Sequence, residues 1–230
     1  MAETLASDSM LKWEALETAQ VGKTTFVLAR HGDDWVVRVD DRLLMSTRVH
    51  QSEIALAEHA LERATDPRHV LVGGLGLGYT LRATLDLLPD DAHVTVAELV
   101  PELVQWNRKH LHHINDGALD DPRCEVFVGD VFELISRKER TFDVILLDVD
   151  NGPRALSQVK NQRLYGDGGT RACWKALTHG GVLGVWSAGR SEKYTARLER
   201  FGFAPEVIRV PARTGGRAAH VLFLGTKADR

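Results

Sequence analysis

The sequence predicts an α/β fold: a doubly wound, mainly parallel seven-stranded sheet with a small N-terminal β-meander. Three observations predict it. From residue 69 onward, short apolar runs alternate with helix-period segments. One of those runs, FDVILLDVD, is nearly all apolar, as a strand covered on both faces must be. Residues 24–48 break from that rhythm into short runs joined by acidic turns, the pattern of consecutive antiparallel strands.

Along the chain, a short amphipathic opening leads to TTFVLAR, WVVRV and RLLMST, three strands separated by HGDD and DD turns. This region, residues 1–50, is too small to hold a deep core of its own. From Gln51 the period becomes helical. Ile54, Leu56, Ala57, Ala60 and Leu61 form an apolar stripe, with Ser52 as its expected cap and Asp66-Pro67 as its stop. Residues 51–230 are the expected Rossmann-like main domain. There VLVGG reads as a strand and TLRATLDLL as the helix after a run of glycines. HVTVAEL and PELVQWNRKHL repeat the pair, with Pro101 in the first helical turn. CEVFVGD with VFELISRK forms the third pair, and FDVILLDVD is the fourth strand. KNQRLYGDGGTRACWKALTHGG holds a further helix, and GVLGVWSAG is the fifth strand. PEVIRVPARTGGRAAHVLFLGTK supplies two more strands around a Gly-Gly turn, an antiparallel closing hairpin. The strand–helix–strand crossovers impose a parallel arrangement on the rest.

Composition narrows the function classes. The 230 residues, 43% hydrophobic and 27% charged, suffice for one full core with a small appendage. A net charge of −3 gives no electrostatic footprint for nucleic acid or an anionic membrane, and neither is expected as a partner. Two cysteines, Cys124 and Cys173, are too few for a disulfide framework or a zinc site, so a reducing compartment is expected. The opening MAETLASDSMLKWEALE lacks an apolar signal core and no run reaches bilayer length, so a cytoplasmic location is expected.

The stretch HVLVGGLGLGYTLR places Gly74, Gly76 and Gly78 between the first parallel strand and its helix. In open α/β sheets, ligands sit beyond the carboxyl ends of the strands, near the topological switch point. Glycines there serve either a tight turn or the close approach of a nucleoside to backbone N–H groups, and the motif alone does not choose. Neighbouring acids favour the second use. Glu98 ends the second strand, about twenty residues on, where an acid accepts hydrogen bonds from ribose hydroxyls. Asp130 ends the third strand, and Asp148 and Asp150 end the fourth. Asp130 reads equally well as a helix cap.

These residues in this order resemble the spermidine synthase (polyamine aminopropyltransferase) family, whose catalytic domain has the class I S-adenosylmethionine-dependent methyltransferase fold. The resemblance runs from about Trp35 to Ala188. WVVRVDDRLLMSTRVHQSE is similar to the family's small β-domain and the entry to its first helix, and HVLVGGLGLGYTLR to its nucleoside loop. VAELVPELV, FVGDVFELI and FDVILLDVDNGP are similar to its ribose, adenine and catalytic segments. The resemblance implies that Gly74, Gly76 and Gly78 hold the nucleoside of S-adenosylmethionine or decarboxylated S-adenosylmethionine, bound as donor substrate. Glu98 would take the ribose, Asp130 the adenine amino group, and Asp148 with Asp150 would orient or deprotonate the acceptor amine. A sulfonium carries its own leaving group, so the chemistry calls for no metal and mainly for alignment. The resemblance also implies a homodimer.

Three places depart from the family pattern. Leu77 stands where the loop should carry an aspartate for the donor's ammonium, and Asn151 where a second aspartate precedes proline. Leu56 and Ala57 stand where a tyrosine–glutamine pair should line the polyamine channel. Desolvating a polyamine without partner carboxylates is expensive. The expectation is therefore transfer of a group, with methyl favoured by fold analogy, to a small and less cationic acceptor. Val72 weighs against methyl transfer, since many such enzymes carry an acid there. A divergent aminopropyltransferase using the decarboxylated donor is the alternative, and a non-catalytic nucleoside-binding module is the third reading.

Asn151, Tyr165 and His50 are the expected substrate-binding residues. The first two fall in the segment from Asn151 to Gly169, whose sparse apolar content and glycines predict a lid over the ligand edge. His50 precedes the first helix, where a plain loop role competes with proton transfer. His110, His112 and His113 read as a solvated helix end rather than metal ligands, and Trp106, Trp174 and Trp186 as packing residues.

Overall fold

Residues 14–46 form an antiparallel sheet of four strands in sequential order, β1 (Glu14–Val21), β2 (Thr24–His31), β3 (Asp34–Val39) and β4 (Arg42–Ser46). The computed structural model describes residues 13–149, 163–213, 215–216 and 218–228. The chain divides into two units, residues 1–48 and 49–230. Leu28, Ala29, Trp35, Val36 and Val37 form the buried side of the first. Three strands are predicted there, and the structure adds β1 in the stretch that reads as an amphipathic opening. Its signal is weak because a bulge between Ala15 and Glu17 breaks the two-residue period and only Ala19 is fully buried.

The second unit opens with α1 (Gln51–Leu61), followed by β5 (His69–Gly73), α2 (Tyr79–Leu87), β6 (His93–Glu98), α3 (Pro101–Lys109) and β7 (Cys124–Val128). Next come α4 (Val131–Ser136), β8 (Phe142–Leu147), α5 (Asp167–Ala176), β9 (Leu177–Ser187), α6 (Glu192–Arg200), β10 (Phe203–Pro211) and β11 (Ala219–Lys227). The seven strands lie in the order β10-β11-β9-β8-β5-β6-β7. β5 to β9 run parallel, while β11 is antiparallel to both β9 and β10. The predicted doubly wound, mainly parallel sheet is thus the observed one.

Strand alternation divides the core between the two faces. Val70, Val72, Val94, Val96, Val144 and Leu146 join α1 and α2 on one face, whereas Leu71, Ile145, Leu147, Leu183 and Val185 join α4, α5 and α6 on the other. Leu56 and Ala57 are fully buried in the first of these clusters. They are core residues, as their place in the apolar stripe predicts, and do not take the part of the tyrosine–glutamine pair whose positions they hold. The chain enters α2 from β5 on one side of the sheet and α5 from β8 on the other. The switch point therefore falls between β5 and β8, beside the glycine loop. Because β11 runs against β9, with Val221 opposite Ser187, the first residues of β11 arrive at that same carboxyl edge. Among the described residues, no helix is long and apolar enough to cross a membrane.

Candidate active site

The glycine loop is tied to three strand ends. The Gly74 N–H donates to the Ala97 carbonyl and the Asp148 N–H to the Gly73 carbonyl, each at 2.8 Å. Gly74 has φ +93°, and a Cβ there would lie 2.3 Å from the Asp148 carbonyl oxygen. Gly78, at φ +89°, precedes α2 and would press a Cβ to 2.7 Å from the Asn115 amide. Turn geometry and close packing therefore require both glycines, whatever binds beyond them. The Gly76 carbonyl accepts from Asn107 Nδ2 at 2.9 Å, and the Leu77 carbonyl from Asn115 Nδ2 at 3.2 Å. Asn115 also donates to Asn107 Oδ1 at 2.7 Å, so two buried amides fix the loop through its carbonyls.

Glu98 is buried against this loop. Its Oε2 accepts from the Leu75 N–H at 3.0 Å and its Oε1 from the Val100 N–H at 2.9 Å. Burial raises its proton affinity, and these backbone donors pull it partly back. One strand over, the Gly129 N–H donates to the Glu98 carbonyl at 2.8 Å, which sets Asp130 beside it in sequence. Asp130 caps α4, its Oδ1 accepting from the Phe132 N–H at 2.8 Å. Its other oxygen is not used by the cap and lies 3.6 Å from the Arg163 guanidinium.

Asp148 follows β8 and is half-buried, its Oδ2 accepting from the Thr80 hydroxyl at 2.7 Å. Glu53, in the first turn of α1, senses its charge. Burial first, then Asp148, push the Glu53 carboxyl up to about 8, and burial pushes Asp148 up to about 6. Tyr79 stands at the start of α2, where burial and the Glu53 charge hold its phenol protonated. The His50 ring stacks on Tyr79 with centroids 4.3 Å apart, which brings that residue to the same cluster.

Ser52 does not cap α1. His50 occupies that position, and the Ser52 hydroxyl instead donates to Glu53 Oε2 at 2.8 Å. Ser52 Oγ also meets His220 Nδ1 at 2.8 Å and accepts from Trp186 Nε1 at 3.0 Å. Trp186 is thus a hydrogen-bond donor at the site as well as a packing residue. Tyr165 is fully buried, donating its hydroxyl to the Val149 carbonyl at 2.8 Å and meeting Tyr194 edge-on. It is placed in the core holding the end of the β8 segment, not on a lid face. Asp150, Asn151 and the first twelve residues of the expected lid lie outside the described residues. Among those described, no three His, Cys, Asp or Glu side chains are grouped to hold a metal ion.

The structure therefore gathers Gly74, Gly76, Gly78, Glu98, Asp130, Asp148 and His50 at one sheet edge. It adds Glu53, Tyr79, Thr80, Ser52 and His220, none of them singled out for chemistry from the sequence. Glu53 carries the only usable prior signal, an acid in a first helical turn. That signal is indistinguishable from ordinary dipole compensation.

Residues 50–193 match the family model of the spermine/spermidine synthase domain. The polyamine aminopropyltransferase of Clostridium tetani is 39% identical over 144 residues, which cover 63% of this chain and 45% of that protein. Polyamine aminopropyltransferase 2 of Pseudomonas aeruginosa is 36% identical over 134 residues, 56% of this chain and 36% of that one. The matched region thus spans less than half the length of either relative. A spermidine synthase solved in complex with the transition-state analogue AdoDATO shares the fold, with a TM-score of 0.78 at 20% identity over 93% of this chain and 74% of that chain.

Proposed function

The chain belongs to the spermine/spermidine synthase family, and from that premise we propose that it transfers an aminopropyl group from decarboxylated S-adenosylmethionine to a small amine. The expectation of methyl transfer rested on fold analogy, once the missing acids in the amine half of the site had argued against ordinary spermidine synthesis. It gives way because the relatives are aminopropyltransferases and because Glu53 supplies a second acid near Asp148.

The Glu53–Asp148 pair is the observation that carries this reading. A cationic amine needs anionic partners when it leaves water; two carboxylates stand here, and the bound cation favours their ionised forms against the burial that raises their proton affinity. In the proposed reaction Glu53 takes one proton from the ammonium, freeing the nitrogen lone pair. That nitrogen forms the N–C bond while the C–S bond breaks, its electron pair returning to sulfur to give a neutral thioether. Asp148, oriented by Thr80, aligns the nitrogen and offsets the positive charge that develops on it. Glu98, held by the backbone N–H groups of Leu75 and Val100 with those of Gly76 and Leu99 also facing it, is a fixed acceptor at the strand end suited to ribose hydroxyls. Leu99 and Val128, about half exposed at the ends of β6 and β7, supply apolar surface for the base.

Calorimetry with four ligands tests the donor. Decarboxylated S-adenosylmethionine and methylthioadenosine should bind at least about tenfold more tightly than S-adenosylmethionine and S-adenosylhomocysteine. Incubating the preferred donor with a short α,ω-diamine should then yield the aminopropylated amine by mass spectrometry. Preference for the carboxylated pair would overturn the reading in favour of methyl or aminocarboxypropyl transfer, and binding of none would leave a fold without this chemistry.

A further inference from the structure

We propose that Ser52 and His220 form a proton relay that carries the amine's proton from Glu53 out to the open edge of the sheet. The relay takes its purpose from the aminopropyl-transfer reading, but its geometry stands independently.

Ser52 is fully buried, and its hydroxyl offers one hydrogen and two lone pairs to three neighbours. Trp186 Nε1 can only donate, so it occupies one lone pair at 3.0 Å. The remaining lone pair and the hydrogen are divided between Glu53 Oε2 and His220 Nδ1, each at 2.8 Å. Only two arrangements satisfy all the partners. With Glu53 ionised, Ser52 donates to Glu53 and accepts from His220 Nδ1–H. With Glu53 protonated, Glu53 donates to Ser52, which donates in turn to an unprotonated Nδ1. Passing from the second arrangement to the first moves one proton from Glu53 to His220 with no heavy atom displaced.

The surroundings suit that transfer. Glu53 faces Asp148 from the end of β8 and Tyr79 from α2, with the His50 ring stacked on Tyr79. His220 faces Ser52 from α1 and the Trp186 ring from β9, at 4.5 Å between centroids. It is half-buried as the second residue of β11, which returns antiparallel to the carboxyl edge and so connects an interior carboxylate with solvent. Burial raises the proton affinity of Glu53 and lowers that of His220. A bound ammonium reverses the bias by drawing Glu53 toward its ionised form. The proton accounting closes. From the second arrangement, Glu53 gives its proton to Ser52 as Ser52 gives its own to His220 Nδ1, and His220 releases its Nε2 proton to water. The ionised Glu53 then takes the ammonium proton, and exchange of the His220 ring proton with solvent from Nδ1 to Nε2 readies the chain for the next turnover. One proton leaves per aminopropyl group transferred.

The test uses the full chain with ¹⁵N-labelled histidine. In the unmodified protein, His220 Nδ1 should be unprotonated while Glu53 holds its proton and protonated once Glu53 ionises, so that the two change state in step. Ser52→Ala and Glu53→Gln should each uncouple the Nδ1 protonation state from the Glu53 titration, because the first breaks the chain and the second removes the proton it passes. In turnover, His220→Gln should keep methylthioadenosine affinity and lower kcat about tenfold, with activity restored by added imidazole. A glutamine preserves a hydrogen bond to Ser52 but carries no proton, so imidazole rescue separates relay from support. A His220 titration indifferent to both replacements, or a His220→Gln enzyme with unchanged kcat and pH profile, would overturn the relay. If the unmodified protein transfers no aminopropyl group, the activity reading falls, while the titration still decides whether these side chains share a proton.

Discussion

Asp148 and Glu98 are both acids at strand ends, yet their hydrogen bonds assign them different work. Asp148 accepts from a single side-chain hydroxyl, that of Thr80, an arrangement an asparagine can reproduce through its carbonyl. Asp148→Asn should therefore fold and bind methylthioadenosine normally, while turnover drops by about 100-fold or more. Single-turnover kinetics beside calorimetry would check this, and equal losses of binding and rate would refute the assignment. Glu98 instead accepts from two backbone N–H groups, of Leu75 and Val100. Glu98→Ala strands both donors in a buried position, at about 1–3 kcal/mol each. It should lower the melting temperature and weaken adenosine-ligand binding together. A variant that melts normally but binds poorly would show that Glu98 serves the ligand alone.

The glycine loop is an element whose shape is set from outside itself. Asn107 lies in α3 and Asn115 beyond it, and their amides hold the Gly76 and Leu77 carbonyls. Asn107→Ala removes the donor to Gly76 and leaves Asn115 without its Oδ1 partner. The expected result is a stability loss of about 1–3 kcal/mol and weaker nucleoside binding, read by denaturant melts and calorimetry. Retained affinity would show that the loop keeps its shape without these amides. The same contrast explains what was legible in the sequence. The parallel strands announce themselves because Val70 to Val72 and Val144 to Leu147 are buried on both faces. Glu98, Asp130 and Asp148 are legible because a strand's end fixes its edge of the sheet. Ser52 and Glu53 are not, since a serine and an acid at a helix start are the commonest of caps and dipole partners. What redirects them is His220, 168 residues away and brought back only by the antiparallel run of β11. Likewise the helical stripe identifies Leu56 and Ala57 as apolar, but only the packed structure shows them spent on the core.

Across the whole molecule, buried acids at the site tie folding stability to pH with a sign opposite to that of ordinary salt-bridged carboxylates. Asp121, held at about 2 by Arg123, contributes stability that is present above its ordinary value of 3.8 and lost as pH falls toward 2. Glu53 behaves the other way. Its carboxyl lies near 8 in the folded chain against an ordinary 4.5, so between those values the folded protein retains a proton that the unfolded chain releases. Its contribution is full below pH 4.5 and is lost as pH rises toward 8. Glu53→Gln keeps an acceptor for Ser52 but removes the charge. It should melt with the unmodified protein near pH 5 and a few degrees above it near pH 8, since a chain of this size gains about 2–4 °C per kcal/mol. The gain in stability should come with a loss of amine binding, because the charge that strains the fold is the one that attracts the cation. Saturating diamine with methylthioadenosine should accordingly raise the melting temperature of the unmodified protein more at pH 8 than at pH 6. In Glu53→Gln that pH-dependent increment should be lost. Scanning calorimetry across this range decides the matter: parallel pH curves for the two proteins would mean that the fold does not raise the proton affinity of Glu53, which would then be too weak a base for the proton transfer that the proposed reaction needs.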